Sequence, residues 1–155
     1  MSVLALIRAH DTIVPLFLHI AGAMVVVGAL TLACVCLIAS WRSGSAALIR
    51  TAYMSLFYVA LPGYIVFRVG AEWIADKEGW TDLDNPPDWL DIGYMISDTG
   101  ALLLIISLII GGISIRRMNR GGTPSPIAAR IVTGLVSLVL VAYLVAVWAM
   151  TTKPA

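Results

Sequence analysis

Residues 64–73 read YIVFRVGAEW and lie within an apolar stretch running from about Tyr53 to Ile74. That stretch is long enough to cross a hydrocarbon core of ~30 Å with ~20 helical residues. Arg68 and Glu72 do not belong in hydrocarbon, so the segment is either no span at all or a span with a polar face turned away from lipid. The composition decides between these. Of 155 residues, 60% are hydrophobic and 12% are charged, about half the charged fraction of a soluble domain.

Three further stretches have the same length and character. Together the four spans are expected at about 13–40, 50–75, 92–115 and 128–150, joined by short connections. The fold class expected is an all-α, polytopic membrane protein, a single four-transmembrane-helix bundle over 1–155. A cleavable secretory signal is not expected, because the first apolar run far exceeds a 7–15-residue signal core and no positive cluster precedes it. Cys34 and Cys36 are two apart on one helix and do not face each other, which makes them packing residues.

Charge orients the bundle. Arg42 and Arg50 in the 41–50 connection, and Arg116, Arg117, Arg120 and Arg130 in 116–130, have no acid among them, whereas 76–91 (DKEGWTDLDNPPDWLD) carries six acids against Lys77. Arginine and lysine excess marks the cytoplasmic side. Both termini and the acidic connection are therefore expected outside, and the protein is expected in a plasma (bacterial inner) membrane. Trp73, Trp80, Trp89 and Trp148 then fall at the outer interface and Trp41 at the inner one, as aromatic belts require.

At ~1.5 Å per residue, Arg68 and Asp98 each lie ~10 Å below the outer ends of their spans, and His19 enters at a similar depth. Glu72 stands one turn above Arg68 and Tyr64 one turn below. The reading is one polar cluster of His19, Tyr64, Arg68, Glu72 and Asp98 in the outer half. Intramembrane charges face the bundle interior and pair with one another, so Arg68 is expected to bond Glu72 or Asp98. Two acids against one arginine leave a negative charge over, which suits a cation, a proton or a small ligand. His19 heads a 3,4 stripe of Gly22, Val26, Ala29, Ala33, Cys36 and Ser40, which turns it toward a neighbouring helix. Pro62 and Gly63 are a candidate hinge beside the cluster.

The stretches FLHIAGAMVVVGAL (17–30) and LPGYIVFRVGAEW (61–73) resemble a group of small four-span integral membrane proteins of uncharacterised role, near the CopD-type copper-resistance proteins and the four-helix haem-binding protoporphyrinogen oxidase. The resemblance covers about the first half of the chain. It implies metal handling at the outer face in the one case and haem b ligated by His19 in the other. The chain departs from both patterns. His10 is its only other histidine, Lys77 lies in a connection instead of a later span, and Met24 and Met95 form no methionine-rich motif.

The function expected is thus a small non-enzymatic integral membrane protein whose buried polar site binds a small ligand or cation, or docks a partner subunit. The alternative is a haem- or quinone-linked redox membrane protein using His19, or copper handling. The expected partners are the lipid bilayer and a homo-oligomer or larger membrane complex, for which GGIS (111–114) and Gly134 are candidate contact positions. No catalytic motif and no nucleotide loop appear, and nucleic acid is not an expected partner.

Overall fold

The structure, a computed structural model, describes residues 11–80 and 88–152. These residues form an all-α bundle of four helices, each long and apolar enough to cross a membrane: α1 (Ile13–Ser43), α2 (Ala46–Glu78), α3 (Asp88–Asn119) and α4 (Pro126–Thr152). At 27 to 33 residues and ~1.5 Å per residue, each outruns a ~30 Å core. The helix ends therefore project into the interfacial zones.

The connection expected at 41–50 is correspondingly short. Gly44, at φ 63, closes α1 with its N–H on Ser40 O at 2.8 Å, and Ser45 opens α2 by accepting from the Leu48 N–H. Only a left-handed residue followed at once by an N-cap turns the chain this tightly. At the other turn on the same end, Gly121 at φ 81 ends α3, and Ser125 caps α4 ahead of Pro126.

α1 is the central element, packing on both α2 and α4, while α3 lies on α4 and touches α2 at few points. The small residues of α1 make this possible. Gly22, Val26, Ala29, Ala33, Cys36 and Ser40 are all buried, as the 3,4 stripe requires. α3 buries Gly93, Ser97, Gly100, Leu104, Ser107, Gly111 and Ser114 with the same spacing. Without a hydrophobic drive between helices in lipid, such small residues let backbones approach and gain dispersion contact. Between 28% and 44% of the most apolar window of each helix is buried in the bundle; the remainder is the face presented to lipid.

The closest approach is between α1 and the C-terminal half of α2. A Cβ at Gly22 would strike the backbone of Phe67, and one at Gly70 would lie 2.5 Å from His19 N and 2.9 Å from Pro15 O. Gly63 meets Val25 and Val26. The irregularity expected at Pro62 takes the form of a π turn, Leu56–Ala60, in which the Leu61 N–H reaches back to Leu56 O. Proline has no N–H to offer Tyr58 O, so the α pattern is interrupted here. Pro62 itself is exposed and Gly63 is buried against α1, which makes Gly63 first a packing residue. Cys34 and Cys36 are free and buried, Cys34 Sγ lying 3.5 Å from Ser137 Oγ.

Candidate functional site at the acidic end of the bundle

The glycine contacts press His19 against α2. Its Nδ1 lies 3.3 Å from Phe67 O, and its ring stacks on Phe67 at 4.7 Å. A carbonyl oxygen only accepts, so Nδ1 carries the proton and Nε2 is left bare. Phe67 is held in turn by the edge of Tyr143 at 6.0 Å and by Tyr64 at 6.1 Å.

Arg68 follows Phe67 by one residue, ~100° around the helix, and so faces α3 and not α1. It pairs with Glu72 at 3.0 Å and with Asp98 at 3.2 Å, the two partners read from the sequence. Its guanidinium lies over the Tyr94 ring at 4.8 Å, and the Tyr94 hydroxyl donates to Glu72 at 3.4 Å. This network bridges α2 and α3 where the two helices otherwise barely touch.

The single layer expected from depth counting separates into two groups. His19 and Arg68 line a cavity of about 260 Å³, whereas Tyr64, Glu72 and Asp98 do not. Glu72 and Asp98 lie on the α2–α3 seam with side chains 48% and 65% exposed. They do not converge on an enclosed polar pocket. Tyr64 packs beside Phe67, and no hydrogen bond joins it to Arg68. Counting residues along a helix sets height but not azimuth, and successive positions face different neighbours.

The cavity is largely apolar. Leu16, Phe67, Ile74, Leu90 and Met150 form much of its wall, and Trp80 and Trp89 meet at its outer edge with centroids 4.9 Å apart. Gly93 makes room for the Met150 methyl group, which occupies the space a Cβ would take. Besides His19, Arg68 and Tyr94, its polar lining includes Ser97. Ser97 is 3% exposed, and its hydroxyl has no hydrogen-bond partner. Ser107 and Ser114 on the same helix bond back to Leu103 O and Ile110 O at 2.8 and 2.9 Å. Serines on membrane helices commonly satisfy themselves in that way; Ser97 does not.

Sequence reasoning missed Ser97, Tyr94 and the Trp80–Trp89 pair as site residues, and Gly70 as the residue that positions His19. The 3,4 stripe of α3 carried the signal for Ser97, since the same spacing was applied to α1. Among the described residues, no group of three His, Cys, Asp and Glu side chains is placed to hold a metal ion. Nor do the residues present fit the haem of the resemblance. A cavity of about 260 Å³ falls below the ~300–1,000 Å³ of usual small-molecule sites and holds a single small ring system, not a porphyrin; His10 lies outside the described residues. No protein-family profile matches the chain, and no curated protein or solved structure matches it either.

Proposed function

We propose that this multi-pass membrane protein binds a small, predominantly apolar molecule carrying a hydroxyl or carbonyl oxygen, in the cavity lined by α1, α2, α3 and Met150 of α4. The observation that carries this reading is the unpartnered Ser97 hydroxyl in an apolar wall. Leaving a buried donor unmade costs ~1–3 kcal/mol, a cost that a ligand oxygen removes. The bare Nε2 of His19 adds an acceptor suited to a ligand hydroxyl, and the aromatic edge of Trp80 and Trp89 suits a flat ring.

The test uses 2-naphthol and naphthalene as probes against the protein in nanodiscs, read by quenching of Trp80 and Trp89 with Trp41, Trp73 and Trp148 replaced by Phe. Naphthol is expected to quench saturably and to bind about 5- to 150-fold more tightly than naphthalene, from the ~1–3 kcal/mol of one satisfied donor. Ser97→Ala should abolish that preference and leave naphthalene binding intact. Non-saturable quenching by both probes, as in simple partition into lipid, would remove the reading.

The arginine and tryptophan distribution supports an orientation with this cavity at the outer face and both termini outside, and a plasma membrane is part of the same proposal. Glu78 and Ser43 are exposed at opposite ends of α1 and α2. In intact spheroplasts a cysteine at Glu78 is expected to react with an impermeant maleimide, and one at Ser43 only after lysis. The reverse pattern would invert the bundle.

A further inference from the structure

The opposite end of the bundle carries a second concavity, which the ligand cavity does not explain. Ile113, Arg116, Arg117, Arg120 and Gly122 line a groove of about 420 Å³ at the end of α3. The chain is folded to make it. The Gly121 N–H bonds Met118 O at 3.1 Å and the Gly122 N–H bonds Arg117 O at 3.1 Å. Gly122 thus lies against Arg117, where a Cβ would come 3.0 Å from Arg117 O. This turn keeps Arg120 beside Arg116 and Arg117 instead of letting the chain run on toward α4.

All three arginines are exposed, and among the described residues none has a carboxylate within ion-pair distance, since the ion pairs formed are those of Arg68. Arg50, the nearest basic residue with a defined partner, is engaged by Asn119 Oδ1 at 2.8 Å. The connections 41–50 and 116–130 contain no acid. Like charges this close on a helix repel, and the arrangement is relieved by an anion with several acceptor oxygens.

The face below the groove says which kind of anion. Leu102, Ile106, Ile109 and Ile113 are spaced 4, 3 and 4 along α3 and are exposed at 58%, 36%, 57% and 65%. Arg116, Arg117 and Arg120 continue the same face by three, four and seven residues. One helix face thus runs from an apolar track straight into three uncompensated guanidiniums, whose planar forks match phosphate oxygens.

We propose that this groove is a binding site for an anionic phospholipid, its phosphate on Arg116, Arg117 and Arg120 and an acyl chain along Ile113, Ile109, Ile106 and Leu102. Basic pockets at the cytoplasmic ends of membrane helices recognise anionic head groups in this manner.

The test is native mass spectrometry of the delipidated, detergent-purified protein with added phosphatidylglycerol or phosphatidylcholine of identical chains. One phosphatidylglycerol is expected to remain bound under conditions that strip phosphatidylcholine. Each guanidinium contributes a factor of about five, so Arg116→Gln/Arg117→Gln should weaken binding about 25-fold. Arg120→Gln, one residue beyond the end of α3 and with an exposed side chain, should weaken it about five-fold. Arg42→Gln makes the same charge change at the same end of the bundle but outside the groove, and should change nothing. Millimolar inorganic phosphate should not displace the lipid, because it lacks the chain. Equal retention of the two lipids, undiminished binding by the Arg116→Gln/Arg117→Gln variant, equal loss in Arg42→Gln, or displacement by phosphate would each overturn the proposal. The naphthol experiment bears on none of these outcomes.

Discussion

Replacing Gly70 by alanine is expected to cost about 3 kcal/mol or more, the upper end of the range for overpacking a well-packed core, and to lower the thermal transition of the purified protein accordingly. The atoms that the new methyl group meets are His19 N, His19 Cα and Pro15 O, at 2.5 to 2.9 Å. These are main-chain atoms of α1, so no rotamer change relieves the clash, and the two helices must separate. Separation also pulls His19 Nδ1 from Phe67 O and opens the wall of the cavity. Gly28 and Gly134 provide the internal control, because a Cβ at either meets nothing within 4 Å. Alanine there should be neutral or slightly stabilising through helix propensity. If Gly70→Ala and Gly28→Ala melt alike, the close approach of α1 and α2 does not hold the bundle together.

Arg68→Leu should be more damaging than Arg68→Leu combined with Asp98→Leu. Arg68 is the shared partner of Glu72 and Asp98, and its removal strands two carboxylates on membrane-spanning helices. A lone charge near a span centre costs at most about 2.5–3.5 kcal/mol on insertion scales. Asp98 is the deeper of the two acids, and with its side chain 65% outside the bundle packing it has no second protein partner among the described residues to take the place of Arg68. Taking Asp98 away with Arg68 removes the larger penalty, while Glu72, one residue from Trp73 at the interface, can reach water. The measurement is the thermal transition and monodisperse yield of wild type and the two variants in one detergent. A double variant no more stable than Arg68→Leu would mean that the cluster contributes no coupled energy across the α2–α3 seam.

Much of this architecture follows from local rules. Four apolar runs of sufficient length set the spans, and the hydrocarbon thickness requires helices of them, since every backbone group must be satisfied within its own segment. The stripe from Gly22 to Ser40 gave the buried face of α1 because a 3,4 spacing is a property of one helix alone. The partners of Arg68 could be named because only two acids share its depth, and a charge in a span must find a partner. Each of these inferences depends on spacing along a helix or height across the membrane, and both are read from residue numbers.

What residue numbers do not contain is the rotation of each helix about its axis and the distance between axes. Those were decided by Gly22 and Gly70, which bring α1 and α2 into backbone contact, with Gly63 packed on Val25 and Val26, and so turn Phe67 toward His19 and Arg68 toward α3. That rotation divides the expected polar layer into an α2–α3 seam and an adjoining, largely apolar cavity that His19 and Arg68 line. It also leaves Ser97 facing the cavity with no partner, whereas the sequence presents it only as one more small residue on the α3 stripe. Spans, buried stripes and charge pairing were thus determined by the sequence itself, through periodicity and the dielectric of lipid. The cavity and the group that faces into it were decided by tertiary structure, because helix azimuth is set by how closely two backbones can approach.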